Sequence, residues 1–97
     1  MAYKLTVQAE QDFYEIYAEG AAQFGENQAD RYLAGLLRIF DLLSDNPMMA
    51  RERTEVNPPV RIHPYQAHLV IYTIQSDDVL ILGLPRGNRE WQRLLNP

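Results

Sequence analysis

Between Thr6 and Ser44 the chain carries two runs of apolar residues at helical spacing, broken once, at Gly25. In the first run Ala9, Phe13, Ile16, Tyr17 and Phe24 fall near one face of a helix, while Glu10, Asp12, Glu15 and Glu19 stay mostly outside it. Thr6 is placed to cap that helix, and Gly25 ends it at the position where a positive φ costs least. The second run extends from about Asn27 to Ser44, with Ala29, Leu33, Leu36, Leu37, Phe40 and Leu43 as its stripe. It stops at "SDNP", where Pro47 drives Asn46 out of helical geometry. Helices joined by so short a turn must be antiparallel neighbours. Their shared apolar face needs a sheet or further helices beneath it.

The flanking segments supply a sheet. "YKLTV" (residues 3–7) alternates with bulky residues and reads as a short first strand. Residues 47–59 are polar and punctuated by Pro47, Pro58 and Pro59, which predicts a loop. Strands are predicted at about 60–64, 68–75 and 79–85, with turns near "QAH" and at "QSDD", forming an antiparallel meander. The two later strands are almost wholly apolar, so both of their faces should be covered, one of them by the helical hairpin. Asn88 is placed to cap a last short helix, "REWQRLL". The expected order is β-α-α-β-β-β-α. This is an α+β fold, a helical hairpin on a mostly antiparallel four-stranded sheet with a short C-terminal helix. The 97 residues provide for one domain, 1–97.

Charge and composition narrow the function classes. Residues 1–50 set three cations against eight carboxylates, and residues 51–97 set six arginines against five, for a total of −4. An acidic chain is a poor general binder of phosphate backbone, so nucleic acid is expected only indirectly, through a partner. Eight of the nine basic residues are arginine, which favours fixed planar contacts over diffuse attraction. The absence of cysteine removes disulfides and thiolate metal sites and makes the cytoplasm the default compartment. No apolar run approaches the roughly 20 residues that span a bilayer, and the N-terminus lacks the layout of a signal peptide.

The stretch "RIHPYQAHLVIYTI" (61–74) holds both histidines, His63 and His68, with Arg61, Tyr65 and Tyr72 close by. The histidines could sit opposite each other on a hairpin, but two imidazoles are at best half a zinc site, and the intervening residues add no carboxylate. No metal or cofactor is expected. Acid–base cleavage of RNA would need a base, an acid and cations at the phosphate. Arg61, His63, Arg86 and Arg89 could supply parts of such a site. The single lysine and the lack of any Tyr or His after Tyr72 count against it. In "PRGNREWQRLL" Trp91, Leu94 and Leu95 are spaced to dock on the sheet, while Arg89 and Arg93 share the other side and Arg86 precedes the cap. Such a helix can be a simple closing plug. It can also be an arginine-bearing ridge for a protein target.

"LTVQAEQDFYEIYAEGAAQFGENQADRYLAGLLRIFDLLSDNP" resembles the N-terminal half of ParE toxins of the RelE/ParE superfamily. The resemblance continues through "RERTEVNPPVRIHPYQAHLVIYTI" and spans nearly the whole chain. It implies the toxin of a bacterial type II toxin–antitoxin system, neutralised by a ParD-like antitoxin. Such a toxin inhibits DNA gyrase by direct, non-catalytic binding. The alternative is the RelE branch, a ribosome-dependent mRNA endoribonuclease that relies on basic residues and a C-terminal Tyr or His. "LPRGNREW" has neither where that branch places its acid, which favours ParE, although Pro85 stands where many ParE proteins carry His. The expected gyrase-binding residues are Arg86, Asn88, Arg89, Trp91 and Arg93, with Arg61 on the family strand. The expected antitoxin contacts are Tyr14, Tyr17, Tyr32 and Ile39. The histidines read as surface residues without a catalytic role.

Overall fold

The computed structural model describes residues 2–87. β1 (Tyr3–Leu5) leads into α1 (Val7–Phe24), which passes through Gly25 into α2 (Glu26–Asp45). β2 (Glu52–Arg53), β3 (Val60–Tyr65), β4 (His68–Gln75) and β5 (Asp78–Gly83) follow. The strands form one sheet in the order β1-β5-β4-β3-β2. β2 to β5 are an antiparallel meander, and β1 lies parallel to β5 with Tyr3 opposite Val79 and Leu5 opposite Ile81.

Two residues set the hairpin on this sheet. The Thr6 hydroxyl oxygen accepts from the Ala9 N–H at 3.1 Å, capping α1, and the hydroxyl donates to the Leu82 carbonyl at 3.0 Å. Its own N–H donates to the Ile81 carbonyl at 3.0 Å, so the helix cap is also the joint to β5. Gly25 has φ +92°, donates its N–H to the Ala21 carbonyl and accepts from the Ala29 N–H. A single residue thereby ends one helix and starts the next, which only glycine does without strain.

The alternation of the strands divides the core between two faces. Ala9, Ile16, Leu36, Phe40 and Leu43 of the hairpin pack on Val70, Tyr72, Val79, Ile81 and Leu84. On the other face Val56 of the 54–59 loop closes over Val60, Ile62 and Ile71. The helix-facing side of the later strands is covered, whereas on the other side Ile71 is buried and Leu69, Leu80 and Leu82 stay partly exposed, so the expectation of two covered faces is met only in part. Each fully buried large side chain contributes about 1.5–3 kcal/mol relative to exposure. Tyr72 and Phe40 head that group.

Three expectations need correction. The sheet has five strands, not four, because Glu52 and Arg53 pair with Arg61 and Val60 inside the stretch expected to be loop. Leu37 and Phe24 are 41% and 58% exposed although their spacing put them in the helix stripes. Leu37 sits one position past the buried Leu36 and is therefore turned about 100° away from it. The third strand of the meander ends at Gly83, short of Pro85. The C-terminal helix expected after Asn88 lies outside the described residues. Among the described residues no helix is long and apolar enough to cross a membrane.

Candidate functional site

The tip of the hairpin, the β3–β4 turn and the chain leaving β5 meet at one end of the molecule. Between them is a groove of about 330 Å³. Ile16, Phe24 and Ala29 make its apolar wall, and His68 and Arg86 stand across from them.

Backbone hydrogen bonds fix the far side. The Leu69 N–H donates to the Pro85 carbonyl at 2.8 Å, and the Gly87 N–H donates to the Ala67 carbonyl at 2.9 Å. From α1, Asp12 Oδ2 accepts from the Leu84 N–H at 2.9 Å, while its Oδ1 accepts from Gln8 Nε2 at 2.8 Å. Asp12, expected on the outer face of the helix, thus clamps the end of β5. Arg86 is left with its guanidinium 3.4 Å from Glu19, both side chains well exposed. Such a pair is weak, so Arg86 stays available at the rim.

Deeper in the groove, three rings lock α2 to the β3–β4 hairpin. The Tyr32 hydroxyl lies 2.7 Å from His68 Nδ1 and donates to the Tyr65 carbonyl at 3.3 Å, and the Tyr65 hydroxyl donates to the Tyr32 carbonyl at 3.2 Å. The rings of Tyr65 and His68 meet Tyr32 edge-on at 5.1 and 5.6 Å. Burial lowers the pKa of His68 below the ordinary imidazole value, and Arg86 pushes the same way against Glu19 and Asp12. The imidazole is therefore neutral at neutral pH. Burial also raises the Tyr32 phenol.

The expectation that both histidines are surface residues fails for His68, which is buried. Nor do the histidines face each other. A two-residue turn places Tyr65 opposite His68, and His63 opposite Val70. Gln66, with φ 50°, opens that turn.

Arg61 stands at the other end of β3, four residues or roughly 13 Å from the groove end of that strand. Its guanidinium donates to the Ala50 carbonyl, and the Tyr72 hydroxyl opposite it donates to the Pro47 carbonyl at 2.8 Å. Together they staple the turn after α2 to the sheet.

Among the expected antitoxin contacts, Tyr14 is 70% exposed beside the Phe13 ring. Tyr17 is half-buried, and its phenol is raised first by the Asp30 carboxylate, then by burial and Glu26. Tyr32 belongs to the groove cluster, and Ile39 packs against the helix-facing core. Asn88, Arg89, Trp91 and Arg93 lie outside the described residues. The Tyr32–Tyr65–His68 cluster was not foreseen. Its signal was the strand alternation that turns residues 61, 63 and 65 toward the helices along with 68, 70 and 72. Among the described residues no three His, Cys, Asp or Glu side chains gather to hold a metal ion.

A helical hairpin over a meander, with the first strand added in parallel at the sheet edge beside the last, is an arrangement shared with the fold of ParE toxins. The chain belongs to the ParE toxin family. The model of that family, described as the ParE toxin of the type II toxin–antitoxin system parDE, matches residues 3–91. Among solved structures the chain is similar to one from the chromosomal ParDE toxin–antitoxin system of P. aeruginosa, with 19% sequence identity and a TM-score of 0.79. That likeness covers 91% of this chain and 97% of the other, and at such identity it bears on the fold. No curated protein matches at a significant level.

Proposed function

We propose that this ParE toxin acts by binding DNA gyrase directly, with no bond made or broken by its own side chains, and that a ParD-like antitoxin holds it inactive. The observation that carries this reading is the dispersal of the groups an RNA-cleaving site would require. Arg61 braces the turn after α2 at one end of the sheet, whereas His68, neutral and tied to Tyr32, shares the groove with Arg86 at the other end. A phosphate transition state needs cations and a proton donor converging on it. Arg61 does not converge with Arg86 and His68, so among the described residues the groove is lined by a single cation.

The gyrase-binding residues of this reading are Arg86, at the groove rim, and Asn88, Arg89, Trp91 and Arg93, which follow it in the sequence. Arginine and tryptophan are favoured anchors in protein interfaces. The antitoxin is assigned to the helical hairpin, where Tyr14 and Tyr17 lie.

A supercoiling assay with purified gyrase and purified toxin tests this, paired with sequencing of mRNA ends after induction in cells. The expected outcome is lost supercoiling with unchanged transcript ends. Cuts within codons on translating ribosomes, with supercoiling intact, would replace the reading with the RelE-type endoribonuclease.

A further inference from the structure

The chain that leaves β5 is held from two sides. On the side of β4 the antiparallel pairing continues past the strand. Gly83 stands opposite Ile71, the Leu69 N–H donates to the Pro85 carbonyl, and the Gly87 N–H donates to the Ala67 carbonyl. Backbone groups alternate in direction along such a strand, so the Leu84 N–H turns to the outer edge. β1 covers that edge as far as Ile81, and the Thr6 hydroxyl adds a bond to the Leu82 carbonyl. Past that point α1 supplies the acceptor in place of a strand. Asp12 Oδ2 accepts from the Leu84 N–H at 2.9 Å, across 72 positions of sequence.

The carboxylate is itself oriented. Gln8 precedes Asp12 by one helical turn and donates to its Oδ1 at 2.8 Å. Leu84 is buried, so without Asp12 its amide would have no ready access to water. A hydrogen bond to a carboxylate is also roughly twice as strong as one between neutral groups. Among the described residues it is the one side-chain hydrogen bond to the backbone of residues 83–87. Two residues further on, the Arg86 side chain is exposed and its pairing with Glu19 is weak. Its aim is therefore set by the backbone that carries it.

We propose that Asp12 is a positioning residue for target binding. By holding the Leu84 amide it fixes the direction in which the chain leaves β5, and so where Arg86 meets the partner. The part in gyrase inhibition rests on the function proposed above; the hold on the segment rests on the hydrogen bond itself. Residues of a binding site must be kept within about 0.5 Å of the productive geometry. Asp12 does this for Arg86 from the neighbouring helix.

The test measures inhibition of gyrase supercoiling per folded molecule, together with amide hydrogen exchange of the toxin alone. Asp12→Ala should weaken inhibition about tenfold, as loss of the Arg86 anchor would. Asp12→Asn keeps an acceptor oxygen and should recover inhibition to within about threefold of the parent. In an Arg86→Ala background Asp12→Ala should cost less than about threefold, because the two residues act through one contact. Gln11→Ala, at the exposed neighbouring position, should stay within about twofold of the parent. Exchange at both Leu84 and Gly87 should quicken about tenfold in Asp12→Ala. Full inhibition by Asp12→Ala, an undiminished loss in the Arg86→Ala background, or no recovery in a folded Asp12→Asn overturns the proposal while the gyrase reading stands. If the parent itself leaves supercoiling intact, the gyrase reading falls and the exchange data decide. Quickened Gly87 exchange then upholds Asp12 as the residue that fixes the segment, and unchanged Gly87 exchange overturns that as well.

Discussion

The Tyr32 hydroxyl lies 2.7 Å from Nδ1 of His68, a contact between residues 36 positions apart that ties α2 to the start of β4. The same hydroxyl donates to the Tyr65 carbonyl, so one oxygen satisfies two buried groups of the β3–β4 hairpin. Tyr32→Phe keeps the ring and removes that oxygen. Leaving buried polar groups unpaired costs about 1–3 kcal/mol. Urea denaturation should show a midpoint lowered accordingly with an unchanged slope, and an unchanged midpoint would show that the contact holds nothing.

Acid should weaken the fold through the histidines. Burial lowers both His63 and His68 from the ordinary value of 6.5. Below about pH 6.5 the unfolded chain therefore takes up protons that the folded chain refuses, and stability falls with pH. Above that value the two states are equally unprotonated and the histidines contribute no slope. Stability should drop between about pH 7 and about pH 5, and the drop should shrink in His68→Gln. Identical profiles for parent and variant would contradict this.

Gly35 is needed for packing. A Cβ placed there would overlap the Tyr65 hydroxyl and come within 2.9 Å of its Cζ. Gly35→Ala, favourable for an exposed helix, should instead destabilise by about 1–3 kcal/mol, the usual range for overpacking. Tyr65→Phe removes the atom in closest conflict and should recover part of that loss. A double-mutant cycle with no coupling between the two positions would rule out the mechanism.

Ser76 opens the β4–β5 turn with φ 57°, a conformation that L side chains adopt at a cost. Ser76→Gly should raise stability by about 0.5–1 kcal/mol, read as a higher melting temperature. A lower melting temperature would mean that the serine side chain contributes something no contact accounts for.

Local signals made much of this fold legible. The spacing of Ala9, Ile16, Leu36, Phe40 and Leu43, the cap at Thr6 and the break at Gly25 all operate within a few residues. They placed both helices within a residue or two of their ends. The parallel pairing of β1 with β5 was not legible, because its partners are some 76 residues apart and nothing in "YKL" names a neighbour. β2 is two residues long and has no room for an alternating pattern. The groove was half visible. Arg86 stood out by residue type, but His68 looked like a surface residue until the register turned it toward the hairpin. Tyr32 looked like a surplus aromatic until it found that histidine.

Arg61 separates bracing from target binding. Its guanidinium reaches the Ala50 carbonyl, so Arg61→Ala frees the turn after α2 and should cost about 1–2 kcal/mol. Among the described residues the Arg86 guanidinium pairs with the exposed Glu19, so Arg86→Ala should leave the melting temperature almost unchanged. In a gyrase assay the pattern should invert. Inhibition per folded molecule should survive Arg61→Ala within about threefold, while Arg86→Ala should weaken it about tenfold, the effect of an interface anchor. Placing Arg61→Ala in the Ser76→Gly background controls for the lost stability. If inhibition stays abolished once the fold is restored, Arg61 itself touches the target and the bracing role is secondary.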